Sequence, residues 1–272
     1  MKTLKIMATL FAVSAAGGLS AALVAHRGEN STAPENTVEA FELAFKSGIK
    51  AIEGDFYALE DSNIVCVHGA AELKKFWGLD VPQSRLQKLA LSDYKALKYR
   101  GRHAGKFPGA KIPTLEEVFK TMPPGAVIFA EIKGYSPNFA SAFDEIRKKC
   151  GLKEEQIRLI SFLPGALKDF KAKYPKYKTF LLTGMRKNPG RKDSAIRTPD
   201  EIVKMCADCN ADGIDIGDSR LVTKDFVDAV KKAGLEFHVW TVNNPDECRR
   251  LLDIGVDSVT TDRAVEFLSS AK

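Results

Sequence analysis

A chain of 272 residues, 44% hydrophobic and 28% charged, has the composition of an ordinary soluble globular protein and can bury a core without disulfides. Its net charge of +6 comes from 41 basic and 35 acidic residues. That excess suits an anionic small molecule, but it is too diffuse, and too lacking in basic helices or RNA-type motifs, for nucleic-acid binding. Five cysteines, an odd number, argue against a complete disulfide framework, and no Pro-rich or Gly/Ser linker divides the chain into separate domains.

Residues 1–20 read MKTLKIMATLFAVSAAGGLS. Two lysines, an apolar run from Ile6 to Ala16 and then small residues form the layout of a secretory signal peptide, too short to span a bilayer. It predicts a secreted or periplasmic protein without stable membrane insertion, cleaved after Ala15 or Ser20. An N-terminal helix packed beneath the fold is the alternative. Residues 21–272 are then one domain.

Next comes VAHRGENSTAPENTVEAF, from Val24 to Phe41. A short apolar strand, LVAH (23–26), runs into His26-Arg27-Gly28 and then a helix opened by Pro34, with Val38, Phe41 and Phe45 on one face. Further strands are AIEGDF (51–56), IVCVH (64–68), VIFAEIK (127–133), RLISF (158–162), KTFLL (178–182), DGIDI (212–216), EFHVWT (236–241) and DSVTTD (257–262). Helical patterns lie between most of them. Cys206 and Cys209 form a CxxC inside one such helix, where small core-facing residues explain them better than redox chemistry. Asn244–Gly255 carries Pro245 near its start and Gly255 after its end, as helix punctuation requires.

Nine strands exceed a (β/α)₈ barrel by one. Only Leu59 to Asn63 separates the second from the third, too few residues for a parallel crossover, so those two form an antiparallel hairpin. The remaining eight predict an α/β fold, a (β/α)₈ TIM barrel with a small insertion after the second strand's hairpin, about residues 69–111. A hairpin tip at Asp61–Ser62 sets His68 opposite Asp55, within a register slip of one or two residues.

The strand ends of such a barrel converge on one face. They carry His26, Arg27, Glu53, Asp55, Glu131, Lys133, Trp240 and Asp262. Glu53 and Asp55 are two apart on one strand and face the same way. Buried together with Glu131, they repel and lose hydration, and a divalent cation compensates them most simply; all-oxygen donors favour Mg²⁺ or Ca²⁺. Ion pairing with Arg27 and Lys133 is the competing explanation. His26 and His68 beside that cluster suit acid and base work near neutral pH. Arg27 and Lys133 suit a phosphate. His103, in a basic loop, and His238, mid-strand, have weaker claims. The loop 185–197 carries five basic residues, Arg186, Lys187, Arg191, Lys192 and Arg197, and reads as solvated or as facing an anionic group.

The ordered set His26-Arg27-Gly28, Pro34-Glu35-Asn36-Thr37, Ile52-Glu53-Gly54-Asp55, Val65-Cys66-Val67-His68, Glu131-Ile132-Lys133 and Trp240-Thr241-Val242-Asn243 resembles the glycerophosphodiester phosphodiesterase family, over about residues 22–270. The resemblance implies Mg²⁺ or Ca²⁺ on Glu53, Asp55 and Glu131, acid and base roles for His26 and His68, phosphate contacts from Arg27 and Lys133, and Trp240 in the substrate pocket. It also implies a route in which a glycerol hydroxyl attacks phosphorus, the alcohol leaves, and water opens the cyclic phosphate. The products are then sn-glycerol 3-phosphate and an alcohol. Lysophospholipids and glycerophosphate polymers are alternative substrates, with Phe76 and Trp77 holding an acyl chain or forming the insertion's own core. The family's Asp after the second histidine is here Gly69. That departure is the one feature favouring a different reading, an inactive barrel that binds phosphorylated ligands. A TIM-barrel isomerase or aldolase lacks its expected glycine-rich loop in TVNNPDE.

Overall fold

The computed structural model describes residues 19–20, 22–188 and 190–270. Most of the leader-like stretch, 1–20, lies outside them. Of its end, Leu19 packs on the core and Ser20 donates to the Gly48 carbonyl at 2.7 Å.

Eight parallel strands form the barrel: β1 (Leu23–Ala25), β2 (Ala51–Ala58), β4 (Val127–Ile132), β5 (Ile157–Ser161), β6 (Lys178–Gly184), β7 (Gly213–Gly217), β8 (Glu236–Val239) and β9 (Ser258–Thr261). β3 (Ile64–Cys66) is the antiparallel return arm on β2. Closure is made by β1, which pairs Val24 with Ala51 on one side and with Thr260 on the other. The crossover helices are α1 (Val38–Lys46), α2 (Leu115–Phe119), α3 (Phe139–Lys149), α4 (Pro164–Lys173), α5 (Pro199–Asp208), α6 (Lys224–Lys232) and α7 (Pro245–Asp253), with α8 (Ala264–Ser270) at the end.

Alternation along each strand sorts side chains into two cores. Val24, Ala51, Phe129, Ile160, Phe180 and Leu182 fill the barrel interior. Ile52, Ile128, Leu159, Ile214 and Val259 point outward to the helices. Burying each of these large residues stabilises by roughly 1.5–3 kcal/mol. Phe143 of α3 shows how tightly the outer layer packs, with ring centroids of Phe119, Phe139 and Phe170 at 5.4, 5.7 and 5.8 Å.

One local expectation is corrected, and the hairpin register falls within its expected range, one residue from the central pairing. The first helix is not opened by Pro34. Thr37 caps it, its hydroxyl accepting from Ala40 N at 3.3 Å, because a side-chain oxygen satisfies an orphan N–H that proline cannot reach from three residues upstream. The hairpin register is one residue off: Phe56 pairs with Cys66, and Val67 N donates to the Asp55 carbonyl. His68 therefore lies one step past Asp55's partner, beyond the end of β3. The turn at Ser62, with φ 67°, takes up the difference.

The insertion consists of short helical turns, including Ala70–Glu72, Gln83–Lys88 and Leu91–Ala96, stitched by loops. Leu73, Trp77, Leu86, Tyr94 and Ile112 pack on Tyr57, Leu59 and Val65 of the hairpin as a separate small core. Phe76 and Trp77 stack about Tyr99 at 6.1 and 5.3 Å, so they serve the insertion's own packing. Cys206 sits buried in α5 and Cys209 at its cap, both as free thiols. Among the described residues no helix is long and apolar enough to cross a membrane.

Candidate active site

Each motif at the barrel mouth has a local job. After β1 the chain turns through Arg27 (φ 55°) and Gly28 (φ 79°). A side chain on Gly28 would meet the Ala40 backbone at 2.7 Å, so only glycine lets the turn lie against α1. The turn brings Arg27 N to Glu53 Oε2 at 3.0 Å and Arg27 Nε to within 3.1 Å of Asp55. Glu35 takes Arg27 NH1 at 2.6 Å. Asn36, fully buried with φ 58°, donates to Asp55 Oδ2 at 2.8 Å and accepts from Asp55 N at 3.2 Å. Glu35, Asn36 and Thr37 thus clamp the guanidinium, clamp a carboxylate and start a helix, in that order.

His26 is held by its other ring nitrogen. Nδ1 lies 2.6 Å from Asp262 Oδ1, and Nε2 lies 3.9 Å from Glu53. Asp262 is in turn fixed by Asn30 and Asn243, each at 2.6 Å. Burial alone would raise the Asp262 carboxyl; the His26 hydrogen bond and charge, with the two amides, hold it well below the usual range. An imidazole in this setting presents Nε2 to the cavity with its tautomer and orientation set.

Glu53, Asp55 and Glu131 converge, offering oxygens all within 4.8 Å of one another. Lys133 Nζ reaches Glu131 at 2.9 Å and Asp55 at 3.4 Å. Burial works against all three acids. For Asp55 the Arg27 and Lys133 charges overcome it and hold the carboxyl far down. For Glu53, burial and repulsion from Asp55 and Glu131 win, and its carboxyl is pushed well up; burial and Asp55 push Glu131 up to about 8. Two cations thus face three buried carboxylates, and the cluster keeps one negative charge uncompensated. A buried, all-oxygen cluster still short of positive charge fits a divalent cation of the Mg²⁺ or Ca²⁺ type.

These groups face a cavity of about 270 Å³, at the small end for ligand pockets. One wall is charged: His26, Arg27, Glu53, His68, Glu131 and Lys133. The other is apolar: Ile160, Phe162, Leu182 and Trp240, with Asp215 as its one charged member. Asp55 lies just behind the charged wall, 1% exposed. Burial, with Arg27 and Lys133 nearby, holds the His68 imidazole down at about 4. His103 lies instead beside Arg102 on the insertion. His238 is buried in the barrel interior, bonded to Ser258 Oγ at 2.7 Å and packed on Phe180.

Two groups, Asp215 and Glu72, escaped the sequence reading, and a third, Asp262, was placed at a strand end without a role, because its link to His26 spans 236 residues. Asp215 faces inward from DGIDI, where period-two alternation was its only available signal. Glu72, buried in the insertion, accepts from His68 N at 2.5 Å and from the Trp77 indole at 3.3 Å, tying the insertion's core to the second histidine. Gly69 also finds a reason: the Gln83 amide lies 3.0 Å from where a Cβ would stand, and it bonds Ala70 N and Tyr57 OH.

The chain resembles known proteins along almost all its length. It is 25% identical over 244 residues to the glycerophosphodiester phosphodiesterase of Caldanaerobacter subterraneus subsp. tengcongensis, covering 88% of this chain and 93% of that one. It is 25% identical to lysophospholipase D GDPD1 of Rattus norvegicus, covering 91% and 86%. In fold it is similar to a phosphodiesterase of Oleispira antarctica whose structure holds the product sn-glycerol-3-phosphate, with a TM-score of 0.77, 23% identity and coverage of 92% and 96%. Residues 26–266 match the glycerophosphoryl diester phosphodiesterase family, and the chain belongs to that family of enzymes hydrolysing glycerophosphodiesters.

Proposed function

We propose that this protein hydrolyses glycerophosphodiesters to sn-glycerol 3-phosphate and an alcohol, using a divalent cation on Glu53, Asp55 and Glu131 and the imidazoles of His26 and His68 as acid and base. The observation that carries this reading is the charged wall itself: three buried carboxylates, two cations and two imidazoles facing one small cavity. Mg²⁺ or Ca²⁺ in the acidic cluster would polarise the phosphoryl oxygens and offset the charge that builds on them.

The chain's own residues supply the rest. Arg27 and Lys133 fix the phosphate oxygens from two sides, and both are themselves fixed by carboxylates, so little ordering is left for the reaction to complete. One imidazole takes the proton of the attacking glycerol hydroxyl and the other returns a proton to the departing alcohol oxygen. For water to open the cyclic phosphate, the two exchange roles. Asp262 stabilises the imidazolium form of His26 during whichever step protonates it. The two histidines, the three carboxylates and the two cations proposed for this route are all retained around one cavity, which supports an active enzyme over an inactive barrel.

We also propose export, supported by the leader-like layout of residues 1–20 in the sequence. Cleavage after Ala15 would retain Leu19 and Ser20, which pack against the barrel. N-terminal sequencing of protein recovered outside the cytoplasm tests it: a mature chain starting at Ala16 is expected, and an intact Met1 would contradict it.

The catalytic reading is tested by following glycerol 3-phosphate release from sn-glycero-3-phosphocholine with Mg²⁺ or Ca²⁺. His26→Ala and His68→Ala should each lose turnover by about 10²–10⁴-fold with the fold intact. Either variant turning over at the wild-type rate would remove the assignment.

A further inference from the structure

Asp215 is a carboxylate for which the reaction described above has no use. It is 1% exposed yet lines the cavity, and its buried Oδ1 has no hydrogen-bond partner among the described residues. Native proteins seldom leave a buried acceptor empty, since the lost hydration is not repaid. It lies on the cavity's apolar wall, between Leu182 of β6 and the buried His238 of β8 in the strand register, and the His238 Nε2 likewise has no hydrogen-bond partner among the described residues. The Trp240 indole nitrogen donates to the Asp215 carbonyl at 3.2 Å, and its ring lies over Gly217, the next inward position of β7. Burial raises the Asp215 carboxyl to about 6, against the pull of His238 and His26.

We propose that Asp215 receives the free hydroxyl of the glycerol moiety that stays on the phosphate, and so restricts the enzyme to diesters of unacylated glycerol. The inference rests on the phosphodiesterase reading above. Its geometric basis is the difference between floor and mouth. The floor is closed: Ile160, Leu182 and Thr260 are at most 4% exposed, and Val24, Phe129 and Phe180 fill the barrel beneath. The mouth is open, with Phe162 at 47%. A small, constant glycerol fits the floor, while variable leaving alcohols fit the mouth. Apolar Ile160, Leu182 and Trp240 contact its carbons, and Asp215 accepts from oxygen. A substrate whose terminal hydroxyl is esterified would leave that anion unpaired and would drive an acyl chain into a closed floor. Sites built to bond a hydroxyl discriminate strongly against analogues lacking it, because their own polar group is stranded.

Three chromogenic substrates with the same leaving group separate the possibilities: glyceryl 4-nitrophenyl phosphate, its 1-acyl derivative, and 2-hydroxyethyl 4-nitrophenyl phosphate. The last keeps the attacking hydroxyl and lacks the hydroxymethyl group. Asp215→Ala is expected to lower kcat/KM on the glyceryl diester by about 10- to 100-fold and to leave the hydroxyethyl diester within about threefold. Removing an unpaired buried anion should also raise Tm by about 2–8 °C. The wild type should turn over the acyl derivative at least about 10-fold more slowly than the free-glycerol diester. Equal losses on both diesters with a lowered Tm, no loss on either, or rapid turnover of the acyl derivative would overturn the proposal. Failure of the wild type on all three substrates would overturn the phosphodiesterase reading and this inference with it.

Discussion

The bond between His26 Nδ1 and Asp262, at 2.6 Å, decides which nitrogen the cavity sees. Replacing Asp262 with Asn removes the charge that stabilises the imidazolium while keeping the side chain's shape. Asp262→Asn is therefore expected to lower kcat by about 10²–10⁴-fold with KM little changed, measured as glycerol 3-phosphate release under saturating metal. A change confined to KM would place Asp262 in binding instead. His26, Arg27, Glu53, His68, Glu131 and Lys133 were legible in the sequence because polar residues at the ends of apolar strands stand out, and a barrel sends all strand ends to one place. Their supports were not. Asn36 bonds Asp55 across 19 residues, and Asn243 bonds Asp262 through a loop, so each looks like an ordinary loop amide until the chain has folded.

At the scale of elements, the β1 turn and the insertion carry the site. Gly28→Ala would push a methyl group into the Ala40 backbone and strain a residue at φ 79°. The turn must shift, and with it Arg27 and His26. Activity should fall by at least about 10²-fold, because displacement of about an ångström is that costly, while circular dichroism shows the barrel retained. Full activity would mean that the turn tolerates a side chain. Trp77→Ala empties the centre of the insertion's core and frees Glu72 from its indole partner. A loss of about 3–5 kcal/mol is expected if the insertion unfolds together with the barrel, read from denaturant unfolding. A separate early transition would show that the insertion melts independently. The strands were readable from runs of β-branched and apolar residues, and the hairpin from a connection too short for a crossover. The register was one residue off because a sequence does not reveal how many residues a turn consumes.

For the whole molecule, the acidic centre couples stability to pH. Glu131 and the insertion's Glu72 hold their protons up to about 8, against an ordinary 4.5; burial is the main cause in both, joined by Asp55 for Glu131. Glu53 moves the same way. Between those limits the folded state binds more protons than the unfolded chain, so stability falls as pH rises through the window. Asp55 and Asp262 shift downward and contribute the opposite slope only nearer pH 4, where the unfolded carboxyls titrate, and His68, held down at about 4 against an ordinary 6.5, opposes the fall until its unfolded form has titrated. Chelator-treated protein should thus lose up to about 1.4 kcal/mol per pH unit for each raised group between about pH 6.5 and 8, seen as a falling Tm. Added Mg²⁺ or Ca²⁺ should flatten that fall, since an ion in the cluster favours the ionised carboxylates. A slope unchanged by either ion would separate the acidic centre from metal binding.

The most direct test of the central claim, that three carboxylates gather one ion beside two imidazoles, is the rate of glycerol 3-phosphate release from sn-glycero-3-phosphocholine as Mg²⁺ or Ca²⁺ is added to chelator-stripped enzyme. The expected result is no turnover without metal, saturable recovery with it, and a higher metal requirement in Glu53→Gln and Glu131→Gln. Undiminished turnover in the chelator, or a metal dependence in both variants equal to the wild type's, would contradict it.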